Sequence, residues 1–168
     1  MKSRYPFTPS AQANSLLERS GTALLIGLCL DQQVRTEKAF FGPYELQRRL
    51  GHVDAKKIAQ MPAAKLAAVF RARPALHRYP RMMAKRVRAL CTVIAHEYGN
   101  DGARVWAGVA DAAQLRERLR SLPGFGAGKA AVGIYILANF AKKKLRGWRR
   151  YAGQEESPWE FNAGKKLG

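Results

Sequence analysis

Ten residues, Ser121-Leu122-Pro123-Gly124-Phe125-Gly126-Ala127-Gly128-Lys129-Ala130, constrain this chain more than any other stretch. Three glycines alternate with Phe125 and Ala127 just before the apolar run from Ala130 to Phe140, so the backbone must turn sharply and then enter a helix. The first N–H groups of such a helix have no intrahelical acceptor and sit at the positive end of its dipole, and glycines let an anion come close to them. A phosphate fits there. The same glycines would also serve a plain corner between two helices, where they are needed only for close packing.

Charge weighs between these readings. Of 168 residues, 30 are Lys or Arg and 12 are Asp or Glu, a formal net charge of +18, well beyond what solubility requires. A polyanionic partner is the simplest cause. From Arg118 to Gln154 there is no acidic residue, whereas Arg118, Arg120, Lys129, Lys142, Lys143, Lys144, Arg146, Arg149 and Arg150 all fall there. With Leu122 and Phe125 anchoring the turn and the basic residues facing outward, the layout is that of a helix-hairpin-helix gripping a nucleic-acid backbone without reading bases. An anionic membrane is the rival partner, but the apolar residues are organised as core stripes rather than as one exposed amphipathic face. RNA fits the charge but not a duplex-tracking hairpin.

The remaining sequence reads as helices. Ser10 caps a first helix to about Arg19 after a polar, proline-bearing arm expected to be mobile. Thr22 to Val34 is apolar on nearly every side, the mark of a helix through the centre of a fold. Phe40-Phe41-Gly42-Pro43-Tyr44 breaks the pattern, two short helices follow around 54–61 and 62–70, and Arg71 to Pro80 reads as an extended connection. Between Arg81 and Tyr98, Met83, Val87, Leu90 and Ile94 share one face while Arg81, Lys85 and Arg88 lie nearly opposite as a basic stripe. Asp111 caps the first hairpin helix, whose Leu115 and Leu119 point inward, and the second runs from Lys129 to about Lys142. The fold class is all-α, with residues 1–153 as one domain, the hairpin at about 111–141 and 154–168 as a flexible tail.

The longest apolar run, Ala23 to Leu30, is too short to span a bilayer, and no N-terminal signal segment is evident. A cytoplasmic, nucleoid-associated monomer is expected. Cys29 and Cys91 each lie in an apolar helical pattern and read as reduced core residues. His52, His77 and His96 show no metal spacing and are assigned to loops or the surface.

Leu24-Leu25-Ile26 through Gln33, followed by Leu-Pro-Gly-Phe-Gly at 122–126, resembles the helix-hairpin-helix DNA glycosylase superfamily of endonuclease III. Asp31-Gln32-Gln33-Val34, Phe41-Gly42-Pro43-Tyr44, the segment from Arg73 to Pro80 and Gly147-Trp148-Arg149 are similar to a short subgroup of it. The resemblance implies a two-lobed all-helical fold with a DNA groove between the lobes. It implies that Gln33, next to Gln32, enters the duplex where a base is flipped out. The turn and the charge pattern independently assign Gly124, Phe125, Gly126, Gly128 and Lys129 to holding the backbone, and Arg81, Lys85, Arg88, Lys142, Lys143, Arg146 and Arg149, together with Gln32, to contacts with DNA. No iron–sulfur cluster or other cofactor is expected, with a monovalent cation at the hairpin left open.

Two departures shape the expected chemistry. The superfamily's aspartate, roughly eighteen residues beyond the hairpin lysine position, falls here in Arg146-Gly147-Trp148 with no carboxylate near. Gly128 stands where bifunctional members carry a lysine, and Lys129, one residue later, is turned about 100° around the helix, so abasic-site lyase activity is not expected. Asp31 is the best remaining carboxylate: it closes an apolar helix at the end where the dipole disfavours an anion. Its structural alternatives are pairing with Arg35 or capping a neighbouring helix. Two functions stay open at this point: a monofunctional glycosylase acting on a damaged or mismatched base, and a non-catalytic lesion sensor or architectural protein of duplex DNA.

Overall fold

A computed structural model describes residues 3–152, so the expected tail at 154–168 lies outside the described residues. Within them the protein is all-helical, with α1 (Ala11–Arg19), α2 (Gly21–Leu30), α3 (Thr36–Leu50), α4 (Ala55–Gln60), α5 (Ala63–Arg71) and α6 (Pro80–Glu97). A 3₁₀ turn (Gly102–Val105) then precedes α7 (Ala112–Arg120), α8 (Ala127–Asn139) and α9 (Trp148–Tyr151). None of these helices is long and apolar enough to cross a membrane.

The centre of the fold is α2, GTALLIGLCL, whose residues from Thr22 to Leu30 are all buried. A helix apolar all round must be covered on every side. Here α1, α3, α6, α8 and the 3₁₀ turn all pack against it. It ends at Leu30, four residues short of the expected Val34, because Asp31, Gln32 and Gln33 have no place in an apolar surround. Asp31 is its C-cap residue, and Gln33 takes the left-handed conformation at φ 55°.

The expected break at Phe40–Tyr44 is instead the middle of α3, with Pro43 inside the helix. Pro43 forfeits one i to i−4 hydrogen bond, a local cost that tertiary packing offsets. Phe40 is fully buried, and a Cβ on Gly42 would stand 2.5 Å from Leu30 Cδ1, so Gly42 allows α3 to close on α2. The N-terminal arm is likewise not loose. Tyr5 and Phe7 are buried, and their rings meet Phe140 at centroid distances of 6.5 and 5.2 Å, while Asn14 Oδ1 accepts from the Thr8 N–H at 2.9 Å.

The connection 72–79 is non-helical, as expected, and it is anchored by α3. Arg49 Nη1 donates to the carbonyls of Val69 at 2.7 Å and Ala72 at 3.0 Å, and its Nη2 donates to Pro74 O. Leu76 and His77 are buried, which places the start of α6 beside the end of α2. The capping expectations hold: Ser10 Oγ accepts from the Ala13 N–H and Asp111 Oδ1 from the Ala113 N–H. Met83, Val87, Leu90 and Ile94 form the inward face of α6, as do Leu115 and Leu119 for α7. α7, α8 and α9 pack on one another, and the Arg146 N–H donates to Ala110 O while the Ala112 N–H donates to Arg146 O, tying the chain after α8 back to the start of α7.

Candidate functional site

Leu122 and Phe125 are buried at the α7–α8 turn, and the Phe125 N–H donates to Leu122 O at 3.1 Å. The three glycines differ in what they do. Gly124 has φ 79°, the left-handed region that favours glycine. Gly126 is the N-cap of α8 with φ −92° and ψ −171°, extended backbone open to any residue, and α8 has no side-chain cap. A Cβ at Gly126 or Gly128 would meet nothing within 4 Å, and both residues are exposed. Helix α8 begins at Ala127, two residues earlier than expected, which places Gly128 in its first turn.

Lys129 is turned into the protein rather than toward solvent. Its Nζ donates to Cys29 O at 2.8 Å and to Gln32 Oε1 at 3.2 Å. The first turn of α8 and the last carbonyls of α2 thereby meet, although some hundred residues separate them in the chain. Burial lowers the pKa of the Lys129 ammonium. Lys129 therefore lies beside Gln32 and within electrostatic reach of Asp31.

Asp31 is partly buried, and its pKa is raised to about 6, first by desolvation, against the opposing pull of Lys129. The negative end of α2 acts in the same sense. Asp31 takes no part in the ion pairs found among the described residues, so the alternative of a pair with Arg35 is not realised. A carboxyl of this kind carries a proton near neutrality more readily than an ordinary aspartate, which suits a general acid.

The cluster is completed by Arg86, which the sequence reading passed over, and by Tyr79 and His77. Arg86, on α6, donates from Nη1 to Gln32 Oε1 at 2.6 Å. The Tyr79 hydroxyl donates to Gln33 Oε1 at 2.9 Å, and Gln33 itself is exposed. His77, assigned to a loop or surface role, lies in the connection between α5 and α6 but is only 1% exposed. Its Nδ1 accepts from the Tyr79 N–H at 2.9 Å, so Nε2 carries the proton and donates to Leu30 O at 3.0 Å. The segment Arg73-Pro74-Ala75-Leu76-His77 gave a signal only as part of a family pattern, and nothing in its composition marks the burial of His77.

Other expected contacts are not drawn together. Arg81, Lys85 and Arg88 line a groove of about 460 Å³ between α5 and α6, floored by Ala63, Ala64 and Ala67, and Arg88 Nε is held by Met61 O at 3.0 Å. Arg86 lies about 140° around α6 from Arg81, so the basic stripe and the hairpin-facing arginine occupy different sides of that helix. Lys142, Lys143, Arg146 and Arg149 follow the far end of α8, whose 13 residues span roughly 20 Å at 1.5 Å per residue from the end that carries Gly126. Arg146 pairs with Asp111 at 3.7 Å, and Arg149 covers the Trp148 ring at 5.1 Å. Trp148 in turn packs edge-on against Tyr135, as an anchor for α9. Among the described residues, no group of three His, Cys, Asp or Glu side chains is placed to hold a metal ion.

Comparison of the chain with family models, curated proteins and solved structures finds no match.

Proposed function

We propose that this protein is a helix-hairpin-helix DNA-binding protein of the base-excision-repair type, with the two-lobed architecture its motifs resemble, gripping damaged or distorted duplex DNA at the N-terminus of α8. The observation that carries the reading is that nothing inside the molecule calls for glycine at 126 or 128. Gly124 is accounted for by its φ of 79°, but the other two are exposed, unobstructed and in conformations open to other residues. A backbone phosphate approaching the free N–H groups of α8 supplies the missing reason. The test is duplex-DNA affinity of Gly126→Val with its helical circular dichroism matched to wild type. A fall of tenfold or more for all sequences alike supports the grip, and unchanged affinity reduces the hairpin to a corner.

On this reading a flipped base enters beside Gln33, and Asp31 is the proton donor or electrostatic stabiliser of a monofunctional glycosylase. Its raised pKa and absence from ion pairs support that role. A lesion-sensing protein without catalysis is favoured by a different observation: Lys129 and Arg86 both converge on Gln32 next to Asp31 and would oppose a developing sugar cation. A panel of duplexes, each with one modified base, assayed for base release and for binding, separates the two. Release from any one lesion establishes the enzyme, and tight selective binding with no release establishes the sensor.

A further inference from the structure

Gln32 Oε1 is a single neutral oxygen that receives hydrogen bonds from two cations, Arg86 Nη1 at 2.6 Å and Lys129 Nζ at 3.2 Å. An amide carbonyl is a weak counterpart for two full charges, since charge-assisted bonds to oxyanions are roughly twice as strong as neutral ones. Neither cation belongs to an ion pair among the described residues. Burial lowers the Lys129 pKa, and Arg86 acts on it as a like charge in the same sense, against the opposing pull of Cys29 and Asp31. Two cations converging on one uncharged acceptor oxygen form a frame suited to an oxyanion.

We infer that Arg86 and Lys129 form a phosphate-binding slot in which the side-chain oxygen of Gln32 holds the place of a phosphate oxygen and swings out when a phosphate enters. The slot opens to solvent, because Gln32, Arg86 and Lys129 are each only partly buried. It adjoins the hairpin: a Cβ on Gly124 would lie 3.5 Å from Arg86 Cδ, so the stem of Arg86 runs under the turn, while Lys129 stands in the first turn of α8. The ligand chemistry is a phosphate group, either the backbone phosphodiester of duplex DNA or a free phosphate. The first source rests on the DNA-binding reading above, and the second does not.

Gln32→Glu tests the slot, since it keeps the size of the side chain and fills the place with a tethered carboxylate. It is expected to raise the melting temperature, to weaken duplex-DNA binding at least about tenfold and to lower the magnitude of the log–log salt slope by about 0.9, the value of one lost phosphate contact. Gln32→Ala, which empties the place, is expected to bind at least as tightly as wild type. Equal DNA affinity of folded Gln32→Glu and wild type overturns the slot while the Gly126 test of the hairpin stands by itself. If wild type binds no duplex DNA, that reading fails and inorganic phosphate is the probe. A melting-temperature rise with phosphate in wild type and Gln32→Ala but not in Gln32→Glu then establishes a free-phosphate site, and no rise in wild type overturns the slot.

Discussion

His77 Nε2 lies 3.0 Å from the carbonyl oxygen of Leu30, the last residue of the central helix. Burial lowers the His77 pKa, so the imidazole stays neutral and joins the connection before α6 to the end of α2. Replacing it with alanine leaves the Leu30 carbonyl and the Tyr79 N–H without those partners, at a cost of about 1–3 kcal/mol each way of counting a buried unmet group. His77→Ala is expected to lower the urea midpoint accordingly. Because the folded pKa is depressed, the stabilisation is present above the unfolded value near 6.5 and is lost as pH falls through the folded one. A stability profile of wild type and variant that stays parallel between pH 7 and pH 4 would refute the neutral clamp.

Asp31 titrates in the opposite sense. Its folded pKa is raised from 3.8 to about 6, so its contribution to stability is full below about 3.8 and disappears as pH rises through about 6. The loss is on the order of 1–3 kcal/mol. Asp31→Asn is expected to be more stable than wild type at pH 7 and to flatten the profile between pH 4 and pH 6. If the protein excises bases, the same substitution should reduce single-turnover release by at least about a hundredfold, with DNA affinity equal or higher. Full excision by the variant rejects Asp31 as the acid.

Gly128 separates stability from binding. It sits exposed in the first turn of α8, where alanine is the better helix former by roughly 0.5–1 kcal/mol. Gly128→Ala should therefore melt higher yet bind duplex DNA more weakly, since its methyl group obstructs the approach of a phosphate. Gly124→Ala should instead lose about 1–2 kcal/mol from the strain of a left-handed alanine. Tighter DNA binding by Gly128→Ala would contradict a backbone grip at this turn.

Lyase chemistry is expected to be absent. Lys129 is fixed as a donor to Cys29 O and Gln32 Oε1, which commits its ammonium to the end of α2. Borohydride reduction during incubation with abasic DNA should trap no covalent complex. An adduct formed by wild type and lost in Lys129→Ala would assign Lys129 a nucleophilic role instead.

Electrostatic binding carries a salt signature. Six phosphate contacts imply a log–log slope of about −5 for duplex DNA. A slope near zero would remove the phosphate-binding reading altogether.

Local signals in the sequence carried the helices whose ends have caps. Ser10 and Asp111 each accept the expected backbone N–H, and the four apolar residues of α6 face the core as their spacing implies. Errors arose where tertiary packing overrides local preference. Pro43 reads as a breaker, but the closeness of α2 and α3 holds the helix through it. Tyr5 and Phe7 read as part of a loose arm, because nothing local reveals that Phe140 waits for them. In the cluster around the end of α2, Asp31, Gln32, Gln33 and Lys129 stood out in the sequence, whereas Arg86 did not, and Tyr79 and His77 did so only as part of the segment from Arg73 to Pro80. Their partners lie 46 to 54 residues away, beyond the reach of any periodicity.

Helix α2 is completed by parts of the chain made long after it. Its Leu30 carbonyl waits for His77, 47 residues later, and its Cys29 carbonyl for Lys129, a separation of 100 residues. At synthesis rates of about 5–20 residues per second, the second interval lasts roughly 5–20 s. Throughout that time the most apolar segment of the protein has left, or is leaving, the ribosome without the side chains that close its end. The nascent chain is thus exposed to aggregation and to chaperone capture until α8 emerges, and a ribosome stalled before Lys129 carries a central helix that cannot yet be sealed.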